Sequence, residues 1–283
     1  AWRHVVRAGL RRWLPFALAL LLSCAAAPAA ERMRGIAVTE ERIALVIGNA
    51  AYRNDPLDNP VNDARLVAQS LRRAGFAVRV HENLDRRALV EALRDFGDRL
   101  GENTIAALYY AGHGLQLRDR NFMIPVDAVI RSEDEIPIAG VDVGFLLGRM
   151  ATARSRINLV ILDACRNNPF AGRGGNTAQG LAPMDAPVGT LLAFATAPGK
   201  LAADSGGGAN SLYAANFAQH LLTPGLPVEH VFKRVREAVV RATREQQVPW
   251  ESSSLQGEFA FVPGATTSAQ SNSPEVEAAG ELA

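Results

Sequence analysis

The sequence predicts an α/β fold built on a mostly parallel six-stranded sheet with helices on both faces, and three observations carry that expectation. Short apolar runs alternate with longer amphipathic stretches between residues 42 and 262, the pattern of strands joined by crossover helices. The first run, Arg42-Ile43-Ala44-Leu45-Val46-Ile47-Gly48-Asn49, is continuously apolar rather than alternating, as strands buried on both faces are. A chain of 283 residues with 48% hydrophobic content is long enough for one large domain with a buried core.

Taken in order, the next strand is expected over 76–80 and a third over 104–110, ending at Ala111-Gly112-His113-Gly114. A fourth covers 157–165 and closes on Asp163-Ala164-Cys165; a fifth covers 190–195 and a sixth 258–262. Between them, 62–74 carries Ala64, Val67, Ala68 and Leu71 at helical spacing, with Gly75 as its stop. Asp85 is placed to cap a helix over 86–100 with Leu89, Leu93 and Phe96 inward. Further helices are expected over 141–151, 211–222 and 228–246. In such sheets ligands bind at the carboxyl ends of the strands. His113 and Cys165 both fall there, after the third and fourth strands.

The two ends of the chain stand apart from this pattern. Residues 1–30 have the three parts of a secretory signal: Arg3, Arg7, Arg11 and Arg12, then the apolar Leu14–Leu22, then Ala25–Ala30. Leu21-Leu22-Ser23-Cys24 also resembles a bacterial lipobox. Three fates stay open: cleavage after Ala29 or Ala30, lipidation at Cys24, or an uncleaved anchor. The first two leave Cys165 as the lone free thiol of an exported, periplasmic or secreted domain, and an idle thiol is a liability in an oxidising compartment. Residues 31–41 read as a linker, 42–262 as the folded domain, and 263–283, rich in Ser, Ala and Glu, as a disordered tail.

Thirty Lys and Arg stand against 29 Asp and Glu, a formal charge of +1. No global field points to nucleic acid or an acidic membrane surface, and contact with a membrane is expected only through a lipid at Cys24. Charge preference must be local.

The chemistry gathers in Tyr109-Tyr110-Ala111-Gly112-His113-Gly114 and, about fifty residues downstream, Asp163-Ala164-Cys165-Arg166-Asn167. A thiolate attacks amide carbonyls well, and an imidazole beside it can take its proton and return one to the leaving amine. The glycines around His113 let a substrate approach the backbone, and the N–H groups of Gly114 and Cys165 are the natural oxyanion donors. Taken singly, a cysteine ending a buried strand is a small core residue and a histidine in a glycine turn is a surface one. Together at neighbouring strand ends they read as a catalytic dyad.

These motifs, with the opening strand 43–49 and Asn62-Asp63 after it, resemble the caspase superfamily of cysteine peptidases, in particular its prokaryotic metacaspase-like (orthocaspase-like) branch. The resemblance implies a caspase-like fold and a His113/Cys165 dyad. It also implies a pocket in which Asp63 and Asp163, with Ala111 on the wall, receive Arg or Lys before the scissile bond. A carboxylate two residues before the nucleophile would repel an acidic side chain. Pro60 and Ala111 depart from the branch, which often has Cys and Ser there. The plainer readings stay open: Asp163 as a turn cap, Asp63 as a helix-start carboxylate. Arg173 and Lys200 are candidate self-cleavage points, and Asp204 is either a cleft residue or a solvated loop aspartate.

No cofactor is expected. His81, His220 and His230 lack metal-ligand spacing, so no metal site is predicted, and although some metacaspases respond to calcium, no ligand set maps onto this chain. Ala197-Pro198-Gly199-Lys200 is no phosphate loop. The expected partners are peptides or proteins with Arg or Lys at the cut. The alternatives are a catalytically silent caspase-like scaffold of the cell envelope, or a cysteine hydrolase or transferase of another substrate class.

Overall fold

A computed structural model describes residues 40–164, 181–197 and 208–264, all within the unit that begins at Glu40. In chain order they form β1 (Glu41–Gly48), α1 (Pro60–Arg73), β2 (Ala77–Glu82), α2 (Arg86–Gly97), β3 (Thr104–Gly112), β4 (Gly114–Leu117), β5 (Arg120–Met123), α3 (Ile136–Ala139), β6 (Val141–Asp142), α4 (Val143–Ala153), β7 (Ile157–Ala164), β8 (Thr190–Phe194), α5 (Leu212–His220), α6 (Val228–Thr243) and β9 (Trp250–Ser253). The main sheet has six strands in the order β2-β1-β3-β7-β8-β9. Every pairing is parallel except that of β9 with β8.

Alternation sends successive side chains of each strand to opposite faces. Ala44, Val46, Tyr109 and Ile161 pack with α1, α5 and α6, whereas Ile43, Leu45, Tyr110 and Leu162 pack with α2 and α4. Both faces are therefore covered, and β1, β3 and β7 are buried nearly throughout. The expected cap at Asp85 is present, accepting from the Ala88 N–H at 2.8 Å, and Ser211 caps α5 in the same way by accepting from the Ala214 N–H at 3.0 Å; each satisfies a donor that a helix start leaves unpaired.

Two elements differ from the sequence expectation. The sixth strand is β9, not 258–262. Phe259 and Phe261 of that segment are buried, but its backbone makes only isolated bridges, from Val262 to Pro224 and from Ala260 to Pro227. Prolines have no N–H to extend a ladder. The helix expected from Val141 starts at Val143, because Val141 and Asp142 pair with β5 as part of a second, three-stranded sheet, β4-β5-β6. That small sheet begins at Gly114, directly after His113, and the sequence reading did not include it.

Candidate active site

The register lines up the carboxyl edge of the sheet. Gly48 lies opposite Ala111, and Ala111 opposite Asp163. One residue on, Gly112 lies opposite Ala164. His113 follows Gly112 directly in the chain, and Cys165 follows Ala164. Cys165 itself lies outside the described residues, as do Cys24, Arg173, Lys200 and Asp204.

His113 is buried, and both sides of its peptide are held by tyrosine hydroxyls. Its N–H donates to Tyr52 Oη at 2.8 Å, and Tyr52 Oη donates to the Ile124 carbonyl at 3.0 Å. Its carbonyl accepts from Tyr110 Oη at 2.7 Å and from the Ile124 N–H at 3.1 Å. The ring lies 4.2 Å from that of Tyr52, tilted by 56°. Its Nε2 is 2.7 Å from the backbone carbonyl of Asp55, with the Asp55 carboxylate at 3.6 Å. A carbonyl only accepts, so Nε2 carries the hydrogen, and Nδ1 is the nitrogen that can take a proton in the neutral ring. Asp55 has a φ of 69°, a left-handed backbone that aspartate tolerates better than most residues.

Gly112 has to be glycine. Its φ is +155°, and a Cβ there would sit 2.6 Å from Tyr52 Oη and 2.9 Å from Tyr110 Oη. Gly114 opens the strand paired with Met123. In an antiparallel pair hydrogen-bonded and open positions alternate. Ile124 donates to the His113 carbonyl, so the Gly114–Met123 pair is an open position and the Gly114 N–H turns away from the hairpin. A Cβ on Gly114 would meet Ala164 Cβ at 3.0 Å, so β4 lies hard against the end of β7.

The second cluster lies on the α1/α5 side of the same edge. Gly48 allows the start of α1 to come down on the sheet, since a Cβ at 48 would be 2.5 Å from the Pro60 carbonyl. That approach carries Asp63, in the first turn of α1, into a buried position. Asp63 Oδ1 accepts from the Ser211 N–H and from Asn210 Nδ2, each at 2.9 Å. Asp163 Oδ2 accepts from Tyr109 Oη at 2.7 Å and from Ser211 Oγ at 3.1 Å. Ser211 thus touches both carboxylates. Burial first, then the charge of Asp163 and of Asp63, push the Tyr109 hydroxyl well above the ordinary tyrosine value. The Tyr213 hydroxyl is pushed the same way by burial and by Asp163, and it has no hydrogen-bond partner among the described residues.

Of the residues the sequence singled out, His113, Gly114, Ala111, Asp63 and Asp163 gather at this edge. Asp63 is buried rather than a solvated helix start, and Asp163 is a strand residue rather than a turn cap. Tyr52, Asp55, Asn210 and Ser211 were not singled out. Among the described residues, no group of three or more His, Cys, Asp or Glu side chains is placed to hold a metal ion, and no helix is long and apolar enough to cross a membrane.

A family model described as the caspase domain matches residues 41–260. The chain belongs to the caspase-domain family. Human mucosa-associated lymphoid tissue lymphoma translocation protein 1 (Homo sapiens) is 32% identical over 132 residues, covering 46% of this chain and 15% of that protein. Its Mus musculus homolog is 30% identical over 142 residues, covering 49% of this chain and 16% of the relative. The chain therefore corresponds to a small part of either relative. The α/β sheet described above is the fold of that domain.

Proposed function

We propose that the protein is a cysteine endopeptidase that cleaves after Arg or Lys, with His113 and Cys165 as its dyad. The observation that carries the reading is the paired end of β3 and β7: Gly112 faces Ala164, and the imidazole and the thiol are the next residues of those two strands. The Nε2–H held by the Asp55 carbonyl supports Nδ1 as the base that takes the thiol proton.

Cys165 Sγ then attacks the carbonyl carbon of the peptide. A C–S bond forms as the carbonyl electrons move to oxygen, and the N–H groups of Gly114 and Cys165 receive the oxyanion. Collapse breaks the C–N bond while His113 gives its proton to the departing amine. Water, losing a proton to His113, hydrolyses the thioester and restores the thiol.

The joined carboxylates of Asp63 and Asp163 beside Ala111 support a basic residue before the cut, since they attract a cation and repel an acidic side chain. The reaction needs no cofactor. Arg173 and Lys200 are self-cleavage points of the kind this specificity would accept. The signal-like residues 1–30 support export to the periplasm or the medium, with or without a lipid at Cys24.

The test is hydrolysis of fluorogenic peptides ending in Arg, Lys or Asp, with and without calcium, by the protein and by Cys165→Ala and His113→Ala. Cleavage after Arg and Lys is expected, lost by at least about a thousandfold in either variant. Cleavage after Asp would overturn the acidic pocket and keep the dyad. Silence in every condition would favour the scaffold.

A further inference from the structure

Three of the bonds at Ser211 tie separate elements together. Its N–H holds Asp63 at 2.9 Å, its hydroxyl donates to Asp163 at 3.1 Å, and the same oxygen accepts from the Ala214 N–H at 3.0 Å to cap α5. It is buried, and Asn210 beside it adds a second bond to the same Asp63 oxygen. Asp63 comes from α1 and Asp163 from β7, elements with no covalent reason to keep their carboxylates at a fixed spacing. Like charges repel, so two carboxylates joined to nothing in common would swing apart. An alanine at 211 would keep the bond to Asp63, which is made by backbone, and lose both the bond to Asp163 and the cap.

We propose that Ser211 is the specificity-positioning residue of the cleft: it binds the two carboxylates into one acceptor and anchors that acceptor to the start of α5. This rests on the reading of Asp63 and Asp163 as the pocket for a basic side chain. In this arrangement the pocket recognises a cation by the fixed spacing of two acceptors as well as by their charge, because pre-set geometry removes the ordering cost of binding. Loss of the hydroxyl should therefore weaken capture of a basic group even though both carboxylates remain.

The test measures binding of agmatine, a guanidinium that contains no peptide bond, by calorimetry on the protein, Ser211→Ala, Ser211→Thr and Asp85→Ala. Kinetics on an Arg-ending peptide run alongside. Ser211→Ala should bind agmatine about tenfold more weakly, the loss of one hydrogen bond to a charged group, and its kinetic loss should fall on KM more than on kcat. Ser211→Thr keeps the hydroxyl and should restore both. Asp85→Ala removes the cap of α2, on the opposite face of the sheet from α5. It should lower the melting temperature as Ser211→Ala does, yet bind agmatine within twofold of the parent. Equal affinity in the parent and Ser211→Ala would overturn the role of Ser211 while leaving the pocket standing. A weakening in Asp85→Ala as large as that in Ser211→Ala would reduce the effect to lost stability and also overturn it. Absence of agmatine binding to the parent would overturn the pocket and Ser211 with it.

Discussion

Tyr109 and Tyr110 are consecutive in β3, both fully buried, and they serve opposite ends of the candidate site. Tyr109 points to the α1/α5 face and donates to the Asp163 carboxylate at 2.7 Å. Tyr110 points to the α2/α4 face and donates to the His113 carbonyl at 2.7 Å. One hydroxyl meets a side chain that carries charge; the other meets backbone. The acidic end is thus held at its carboxylates, by the side chains of Tyr109, Ser211 and Asn210 and by the Ser211 N–H. The histidine end is held by a clamp on the main chain, in which Tyr52, Tyr110 and Ile124 share the peptide groups of one turn.

The comparison breaks most severely at Gly112, where the clamp leaves no room. Gly112→Ala puts a methyl 2.6 Å from Tyr52 Oη on a backbone at φ +155°, and such strain costs about 1–3 kcal/mol. We expect kcat/KM to fall by more than about a hundredfold, because a shift of about 1 Å at a reacting group costs that much, while agmatine binding at the acidic end is kept. Steady-state kinetics and calorimetry on the same variant check both halves, and denaturant unfolding reads the strain. Loss of agmatine binding as well would mean that the two ends are one unit.

The paired tyrosine variants come next in size. Tyr109→Phe takes one of two named donors from Asp163 Oδ2, so KM for Arg-ending peptides should rise about tenfold, near the lower end of the range for one bond to a charged group. Tyr110→Phe loosens the turn that carries His113, so kcat should fall by a similar factor with KM little changed. Steady-state kinetics on the two variants decides the matter, and both losses falling on the same parameter would abolish the distinction.

Much of this division was legible in the sequence. The unbroken apolar run of β1 and the helical spacing of Ala64, Val67, Ala68 and Leu71 lead directly to a buried parallel sheet flanked by helices. The strand ends then bring His113, Asp163 and, through α1, Asp63 to one edge. Strand alternation alone would have sent Tyr109 and Tyr110 to opposite faces, and a serine just before an apolar helical stretch marks Ser211 as a cap. What could not be read is contact between segments far apart in the chain. Nothing local ties Ser211 to Asp163, or the carbonyl of Asp55 to His113, because the bonding groups are generic and only the assembled edge brings them together. The β4-β5-β6 sheet was missed for a related reason: its strands are two to four residues long, too short for a period to show. The segment 258–262 was misread because its burial comes from Phe259 and Phe261, and burial alone does not make a ladder against prolines.

The smallest effect separates the tyrosines by their surroundings. Burial and the neighbouring carboxylates push Tyr109 well above the ordinary tyrosine value of about 10. Below that value the folded and unfolded chains both keep the proton, and the stability associated with this group is fully present. As pH rises past about 10 the unfolded chain ionises first, so stability is lost by about 1.4 kcal/mol per pH unit until the folded-state value is reached. Tyr213, raised by burial and by Asp163, adds a similar slope. Tyr109→Phe removes one of the two. It should be the less stable protein near neutrality, where it lacks the bond to Asp163. Its disadvantage should then shrink by about 1.4 kcal/mol for each pH unit above about 10. Urea unfolding of both proteins from about pH 9 to about pH 11 measures the gap. A constant gap would mean that Tyr109 ionises as readily in the folded chain as in the unfolded one, which a hydroxyl sealed under α5 against a carboxylate does not permit.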